Sequence, residues 1–377
     1  MTKSKATQNC SPERFAEVIP IVRGLLADPT GDEDKPYNPI ILKSITSPQA
    51  IDYASSPANA ETGQLPSPLT QGPNPPLFAD IADCAGEPEN VTERLKTALA
   101  DYTRRHGEKP RILCFAGMGI LYVEEGNDSP GGALKNKVAL VTGAAGAIGY
   151  AVCKGLLANG CYLAATDLPG EKLDVLAAEL KQTAGDHRVI GVPIDVTDKD
   201  SVARGCESII HAWGGIDIAV INAGIALVSH LKDMDIDAFR RLEKVNVEGA
   251  LLTLSELARH FILQGIGGDI IVMSTKNVPS PGAGFGAYSA TKAAAHQLGR
   301  IASLELAMYG VRVNMVAPDA VFSEGGRKSG LWEEVGPGRM KARGLDEDGL
   351  HEYYRNRNLL KTKVTGRHVA NAVLFFA

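Results

Sequence analysis

Residues 137–149 read "KVALVTGAAGAIG", an apolar run followed by a glycine-rich turn. The apolar run predicts a buried strand, and the residues after it predict a helix that ends at Gly160. Glycines at 143, 146 and 149 would let the turn tighten and let its backbone approach a phosphate. The helix N-terminus offers N–H groups and a positive dipole end to an anion. The stretch therefore predicts the first strand, turn and helix of a dinucleotide-binding domain.

The same rhythm continues to residue 318. Apolar strands are predicted at 137–143, 161–167, 188–195, 216–224, 267–275 and 311–318. Amphipathic helices are predicted between them, the longest over 236–264 and 288–308. Buried strands that alternate with helices form a parallel sheet covered on both faces. We therefore predict an α/β fold with a doubly wound parallel sheet of Rossmann type.

Asp167 ends the second strand, 18 residues beyond Gly149. A carboxylate at this point accepts hydrogen bonds from the adenosine ribose and repels a 2′-phosphate. No arginine lies between Gly143 and Asp167 to neutralise such a phosphate. The pattern predicts NAD rather than NADP. The alternative is a solvated turn residue that leads into "LPG".

The composition changes near residue 130. Residues 30–90 are rich in Pro, Gly and Ser, which oppose long helices, and this part is predicted to be largely irregular. The exceptions are helices at 12–26 and 91–106 and a strand at 111–115. We therefore predict three parts: a smaller α+β segment over 1–124, a linker over 125–134 and the α/β domain over 135–377.

Charge and hydropathy exclude several classes of protein. A net charge of −5 gives no general attraction to nucleic acid or to an anionic membrane. The longest apolar run, 112–123, is too short to span a bilayer, and the N-terminus carries no secretion signal. The six cysteines form no CxxC pair and fit no zinc spacing. We expect a cytoplasmic protein without a metal, nucleic-acid or membrane partner.

From about Lys135 onward the chain resembles the short-chain dehydrogenase/reductase family. The matching motifs, in the family's order, are "TGAAGAIG" at 142–149, "DVTD" at 195–198, "INAG" at 221–224, "VNVEG" at 245–249, "YSATK" at 288–292 and "RVNMVAP" at 312–318. The resemblance implies an NAD-dependent oxidoreductase that acts on the CH–OH group of a small hydroxy or carbonyl substrate.

The resemblance implies four catalytic residues. Tyr288 would be the general acid/base, Lys292 its activator, Asn246 the support of a proton-relay water, and Thr275 the partner of the substrate oxygen. Tyrosine, with a free pKa near 10, is a weak base at neutral pH, and a cation at i+4 on the same helix face favours its phenolate. Thr275 is chosen over Ser274 because the family's serine lies thirteen residues before its tyrosine. Neighbours on a strand point to opposite faces, so only one of the two can face the substrate.

The resemblance also implies the cofactor contacts. Asp195 and Val196 would flank the adenine, and Pro318, Val321 and Ser323 would lie beside the nicotinamide amide. The full predicted set is Gly143, Gly146, Ile148, Gly149, Asp167, Asp195, Val196, Asn222, Ala223, Gly224, Lys292, Pro318, Val321 and Ser323.

The chain departs from the family's pattern at several positions. Ala147 replaces a glycine, Ile221 replaces an asparagine, and Asp319 replaces a glycine. Family members also continue beyond "ANAVLFFA" into a final strand. We therefore expect a domain that lacks its last strand, as a truncated gene would produce, and a homo-oligomer if that strand is present.

A closer resemblance is to the bifunctional class II aldolase/short-chain dehydrogenases of the rhamnulose-1-phosphate aldolase/lactaldehyde dehydrogenase type. The stretches that carry it are "FAEVIPIVRGLLADPTGDEDKPYNPIIL" and 274–292, together with "APDAVFSEG" and 329–360. Aldolase chemistry of that class needs several metal-binding histidines, and residues 1–135 hold only His106. We therefore expect a shortened, non-catalytic aldolase-like segment. Residues 341–358 mix both charge signs, which favours a solvated face, with a substrate lid as the alternative.

These observations leave three hypotheses. The first is an oxidoreductase that transfers a hydride between NAD and a secondary alcohol, ketone or hydroxyaldehyde derived from a sugar or polyol. The second is a catalytically impaired protein that binds NAD or a partner. The third is a residual aldolase or lyase, which the missing metal ligands disfavour.

Overall fold

The computed structural model describes residues 12–33, 35–62, 64–70, 72–81, 87–124, 131–322 and 330–377. The chain divides into two compact units. The first unit takes the described residues of Met1–Asp128 together with Glu207–Ile216 and His260–Ile266. The second unit takes those of Ser129–Cys206, Asp217–Arg259 and Gly267–Ala377. Among the described residues, no helix is long and apolar enough to cross a membrane.

The second unit is built on a six-stranded sheet whose strand pairs are all parallel. Its strands are β7 (Val138–Thr142), β8 (Tyr162–Asp167), β9 (Val189–Pro193), β10 (Ile218–Ile221), β11 (Gly268–Met273) and β12 (Val311–Val316). They lie in the order β12-β11-β10-β7-β8-β9. From β7 the chain first adds β8 and β9 on one side. It then crosses to the other side of β7 and adds β10, β11 and β12. This order confirms the predicted doubly wound fold, and it places a topological switch point between β7 and β10.

Helices connect these strands, and the last three helices of the chain follow β12. In chain order, these helices are α5 (Ala147–Ala158), α6 (Glu171–Ala184), α7 (Lys199–Trp213), α8 (Ile236–Glu243), α9 (Gly249–Gln264), α10 (Gly286–Leu306), α11 (Gly330–Arg343), α12 (Glu347–Arg357) and α13 (Gly366–Phe376). Every residue of β7 is buried, which is why its sequence lacks the alternation of a half-exposed strand. The core around β7 takes apolar side chains from β8, β10, α5 and α13.

The predicted helix over 236–264 is interrupted. A π-helical turn, Lys244–Glu248, joins α8 to α9, and the buried Asn246 lies within it. The π-turn spans only five residues, so the apolar pattern on both sides of it still predicts one long helix. A π-turn is rare in proteins and is often found at a functional site.

The first unit contains more regular structure than its composition predicted. Its elements are α1 (Pro12–Leu26), β1 (Asp28–Pro29), β2 (Tyr37–Asn38), β3 (Ile41–Ile45), α2 (Pro48–Ala54), α3 (Asn59–Thr62), β4 (Leu77–Ala79), α4 (Pro88–His106), β5 (Ile112–Phe115) and β6 (Gly119–Glu124). A mixed four-stranded sheet, in the order β3-β6-β5-β4, was not expected from the sequence.

A proline-rich segment separates β3 from β4, and only β5 matches a predicted strand, the one at 111–115. The apolar run over 112–123 folds back on itself as the antiparallel pair β5 and β6. Gly119 allows this, because its φ is 140° and an added Cβ would lie 2.4 Å from the carbonyl oxygen of Ile45. The pattern of apolar residues alone does not reveal that reversal.

Candidate active site

The glycine turn after β7 is packed so closely that two of its glycines have no room for a side chain. Gly143 has a φ of 63°, and an added Cβ would lie 2.8 Å from Cα of Ala223. A Cβ on Gly149 would lie 2.3 Å from the carbonyl oxygen of Gly143. Gly146 is the N-cap of α5 and provides no side-chain cap, so the first N–H groups of that helix face outward. The turn therefore has the form of an anion cradle.

A hydroxyl that the sequence reasoning missed holds this turn against β10. The Thr142 hydroxyl accepts hydrogen bonds from the backbone N–H groups of Asn222 and Ala223, each at 3.0 Å. In return, the Asn222 side-chain amide donates to the carbonyls of Thr142 and Gly143, each at 3.0 Å. We call these four hydrogen bonds the Thr142–Asn222 clamp. The predicted role of Asn222 was cofactor contact, and the structure adds this positioning role.

Asp167 at the end of β8 is oriented by the same turn. One carboxylate oxygen accepts from the N–H of Ala145 at 2.9 Å, and the other accepts from the N–H of Leu168 at 2.9 Å. Asp195 has a similar anchor, because Thr197 donates to it from its N–H at 2.9 Å and from its hydroxyl at 2.7 Å. Both carboxylates line a cavity of about 800 Å³ that begins at the glycine turn.

Most of the predicted site residues line this one cavity. They are Gly143, Gly146, Ile148, Asp167, Asp195, Val196, Asn222, Ala223, Gly224, Thr275, Tyr288, Lys292, Pro318 and Val321. Gly149 and Asn246 do not line it, and Ser323 lies outside the described residues. Ala147 and Asp319, two of the departures from the family's pattern, also line the cavity, whereas Ile221 is buried in β10.

Thr275 and Ser274 point in different directions, as expected for neighbours at the end of a strand. The Thr275 hydroxyl is hydrogen-bonded to the Tyr288 phenol. The Ser274 hydroxyl lies 3.0 Å from Nδ1 of His296 instead. The structure thus places the predicted threonine beside the tyrosine, while Ser274 lines the same cavity with its hydroxyl at His296.

Asn246 does not line the cavity, but its side chain binds residues that do or that lie beside them. Its side-chain oxygen accepts from the N–H of Ile225 at 2.9 Å, and its side-chain nitrogen donates to the carbonyl of Ile225 at 2.9 Å. That nitrogen also donates to the Thr291 hydroxyl at 3.2 Å, which in turn donates to the carbonyl of Tyr288 at 3.0 Å. The π-turn is thereby tied to the helix that carries Tyr288 and Lys292.

Burial dominates the electrostatics of Tyr288 and Lys292. Burial raises the pKa of Tyr288 above its usual value, and the hydrogen bond from Thr275 lowers it in part. Burial also lowers the pKa of Lys292 to about 8. The sequence argument predicted that a nearby cation would lower the pKa of the tyrosine. The direction in the structure is the opposite, because desolvation outweighs the other effects at this position.

Gly224 makes room for the lysine. An added Cβ at this residue would lie 3.1 Å from Nζ of Lys292 and 3.1 Å from the side-chain oxygen of Asn246. The ammonium donates to the carbonyl of Met273 at 3.0 Å. A larger residue at position 224 would displace one of these two polar groups from the cavity.

Helices α11 and α12 contribute to the wall of the cavity. Arg339, Arg343, Tyr353, Tyr354 and Arg357 all line it. The indole nitrogen of Trp332 donates to the carbonyl of Val321 at 2.7 Å, which attaches α11 to the loop after β12. The charge pattern over 341–358 predicts a solvated face, and many of these residues are exposed. Part of the segment also lines the cavity, which is the position that the alternative, a substrate lid, requires.

A sequence profile described as "short chain dehydrogenase" matches residues 137–334, more than half of the chain. The chain belongs to the short-chain dehydrogenase/reductase family. Within the described residues, no group of His, Cys, Asp and Glu side chains could hold a metal ion.

The chain is similar to several curated relatives. It is 34% identical over 248 residues to the uncharacterized oxidoreductase YuxG of Bacillus subtilis. The matched region covers 66% of this chain but only 36% of that protein. It is 35% identical over 191 residues to a sorbitol dehydrogenase of Cereibacter sphaeroides, with 51% of this chain and 73% of the relative covered.

Solved structures of the family share the fold. Sorbitol-6-phosphate 2-dehydrogenase from Erwinia amylovora superposes with a TM-score of 0.59 at 27% identity, covering 63% of this chain and 91% of that one. An NAD⁺-bound xylitol dehydrogenase gives a TM-score of 0.59 at 26% identity, and the match covers 65% of this chain and 93% of that one. The family's oxidoreductases typically bind NAD or NADP.

The lowered pKa of Lys292 predicts how replacing it changes stability. The shift from 10.5 to about 8 corresponds to about 3 kcal/mol, and loss of the hydrogen bond to Met273 offsets about 1 kcal/mol of this. We expect Lys292→Met to raise the free energy of unfolding at pH 7 by about 2 kcal/mol in urea titrations.

This gain should depend on pH. Between pH 8 and 10.5 the unfolded chain binds more protons at Lys292 than the folded chain, so the wild-type protein gains stability as the pH rises. The difference between the variant and the wild-type protein should therefore shrink over that range. Lys199→Met, at an exposed lysine, is the control. A destabilised Lys292→Met at pH 7 would contradict the assignment of an uncompensated buried cation.

Proposed function

We propose that the chain is an NAD-dependent oxidoreductase that transfers a hydride between nicotinamide and a secondary alcohol, ketone or hydroxyaldehyde. One observation carries the proposal. The Tyr288 phenol, hydrogen-bonded to Thr275 and followed at i+4 by the buried Lys292, lies in the cavity that starts at the glycine turn. A single cavity thus contains an anion cradle and a proton donor.

The residues of the cavity fit a dinucleotide. Gly143 and Gly149 form a cradle that a Cβ would fill, and the N-terminus of α5 would bind the pyrophosphate. Asp167 would accept hydrogen bonds from the adenosine ribose. Asp195 and Val196 would flank the adenine, and Pro318 and Val321 would lie by the nicotinamide. When bound, the cofactor accepts or supplies the hydride at the carbinol carbon.

The chain's own residues would manage the proton. In the direction of oxidation, the Tyr288 phenolate would take the hydroxyl proton of the alcohol, and the Thr275 hydroxyl would hold the same substrate oxygen. The Lys292 ammonium would favour the phenolate once a bound ligand closes the cavity to water. Asn246 and Thr291 would hold α10 against the π-turn so that these groups keep their positions.

The substrate class follows from the relatives. Their names include sorbitol dehydrogenase, D-threitol dehydrogenase and sorbitol-6-phosphate 2-dehydrogenase. All of these names describe the oxidation of a hydroxyl on a short polyhydroxylated chain. We therefore propose a sugar- or polyol-derived substrate, and a place for the enzyme in cytoplasmic carbohydrate metabolism.

For residues 1–124 we propose a shortened aldolase-like segment without catalytic function, followed by a linker at 125–134 and the dehydrogenase domain at 135–377. His106, the sole histidine of residues 1–135, packs on Tyr102 with the ring centroids 4.3 Å apart, and this supports a structural role for it. We also propose that the protein forms a homo-oligomer.

Replacements of Tyr288 and Thr275 test the proposed chemistry. With NAD and a panel of polyols, sugar phosphates and hydroxyaldehydes, the wild-type protein should generate NADH absorbance. Tyr288→Phe should lower kcat by about 10² to 10⁴-fold with NAD binding intact, since general acid/base catalysis contributes about that much. No turnover by the wild-type protein, with NAD bound, would favour the impaired binding protein.

The pH profile separates the two hydroxyls. Because the hydrogen bond from Thr275 lowers the pKa of Tyr288, Thr275→Val should move the rising limb of kcat/KM for alcohol oxidation to higher pH. Thr275→Ser should keep it in place, and Ser274→Ala should cost far less activity. A larger loss in Ser274→Ala would overturn the assignment of Thr275.

Asp167 should decide the choice of cofactor. The wild-type protein should bind NADH at least about tenfold more tightly than NADPH in fluorescence titrations, since a carboxylate repels the 2′-phosphate. Lys172 lines the same cavity, so NADPH is the alternative that this titration decides. Asp167→Asn should erase the preference, whereas Asp174→Asn, at an exposed residue of α6, should keep it. Tighter binding of NADPH by the wild-type protein would refute the role of Asp167.

A further inference from the structure

Three arginines of α11 and α12 line the cavity. Arg339 and Arg343 lie on α11, and Arg357 is the last residue of α12. Arg241 of α8 and Lys276, two further cationic residues, line the same cavity. None of these five residues has a part in the proposed hydride or proton transfer.

Each of the three arginines lies over an aromatic ring. The guanidinium carbon of Arg339 is 4.5 Å from the ring centroid of Phe285. That of Arg343 is 4.0 Å from the centroid of Tyr353, and that of Arg357 is 5.6 Å from the centroid of Tyr354. Stacking holds the flat face of a guanidinium and leaves the N–H groups at its edge for an acceptor.

Their charges are not balanced by the side chains that the structure describes. Among these, no carboxylate lies within ion-pair distance of Arg339, Arg343 or Arg357, whereas the neighbouring Arg355 pairs with Glu352 at 2.6 Å. Arg339 donates to the carbonyl of Ala283 at 3.1 Å, but its buried Nε meets no acceptor in the described part of the chain. A buried cationic N–H without an acceptor is costly, so the arrangement favours an anionic ligand.

Arg339 lies near the proposed catalytic tyrosine. Arg339 stacks on Phe285, and the Phe285 ring centroid is 6.1 Å from that of Tyr288. One aromatic ring therefore separates the guanidinium from the phenol, a gap that a substrate of a few carbon atoms can span. Such a substrate would carry its anionic group at one end and its reacting hydroxyl at the other.

We propose that Arg339, Arg343 and Arg357 bind the phosphate of a phosphorylated polyol or hydroxy ketone while its reacting C–OH group lies at Tyr288. The inference rests on the proposed function and specifies its substrate. A phosphate monoester has three terminal oxygens and nearly two negative charges at pH 7, so it can accept from three guanidinium groups at once. A carboxylate has two oxygens and one charge and matches the three groups less well.

Calorimetry on the protein saturated with NADH tests the proposal. The probes are two pairs of alcohols, sorbitol with sorbitol 6-phosphate and glycerol with glycerol 3-phosphate, and gluconate serves as the carboxylate. At least one phosphate ester should bind about tenfold or more tightly than its free partner and than gluconate. Arg339→Gln, Arg343→Gln and Arg357→Gln should each weaken that ester about tenfold to a hundredfold.

Matched controls lie on the same helices. Lys341→Gln on α11 and Arg355→Gln on α12 remove a cation that does not line the cavity, and they should change the affinity for the ester less than threefold. These controls report on the integrity of each helix. Equal losses in the control and arginine variants would overturn the proposal, and so would weaker binding of NADH in the arginine variants, which would assign these groups to the cofactor.

The remaining outcomes separate this inference from the proposed function. Tight, arginine-dependent binding of an ester without any turnover would support the phosphate site and contradict the dehydrogenase. Oxidation of a free polyol with a kcat/KM equal to or above that of every ester would support the dehydrogenase and overturn the phosphate site. No preference for an ester in any pair would also overturn it.

Discussion

The Thr142–Asn222 clamp is the interaction on which the rest of the site depends. At the switch point, β7 and β10 are neighbours whose following segments move apart, and this opens a cleft at their carboxyl ends. The Thr142 hydroxyl satisfies two backbone N–H groups that the divergence leaves without strand partners. The clamp brings the chain at Ala223 so close to the turn that Gly143 cannot carry a Cβ. Closure of the turn, and the anion cradle that it forms, follow from this contact.

Tyr288 and Lys292, the proposed catalytic pair, are both buried, and the burial of the lysine lowers the stability of the folded protein. Lys292 and Tyr288 both have pKa values displaced toward their neutral forms, which is the opposite of the charged pair that the chemistry requires. The π-turn around Asn246 keeps them in place through Thr291, and Gly224 leaves the space that they need. A site with this much desolvation is prepared for a ligand that supplies the missing polar partners. The three arginines stacked on aromatic rings at the same cavity would bind the anionic group of a substrate.

Much of this arrangement could be predicted from the sequence, because it depends on local spacing. The glycine turn, the alternation of strands and helices and the i+4 pair of Tyr288 and Lys292 are all local patterns. The direction of the pKa shift of Tyr288 depends on burial, which only the folded chain defines. The π-turn is too short to break the apolar pattern of one long helix, and in the mixed sheet of the first unit only β5 matches a strand that the sequence predicts. The roles of Thr142 and of the arginines arise from contacts between residues far apart in the chain.

The most direct test of this account compares Thr142→Val with Thr142→Ser. Valine keeps the shape of the side chain but leaves the N–H groups of Asn222 and Ala223 without their acceptor, whereas serine keeps the hydroxyl. The measurement is the dissociation constant of NADH by fluorescence titration, with urea unfolding in parallel. The account predicts that valine weakens NADH binding about tenfold or more and lowers the free energy of unfolding by about 2 kcal/mol, while serine stays near the wild-type values. NADH binding by Thr142→Val at the wild-type affinity would contradict it.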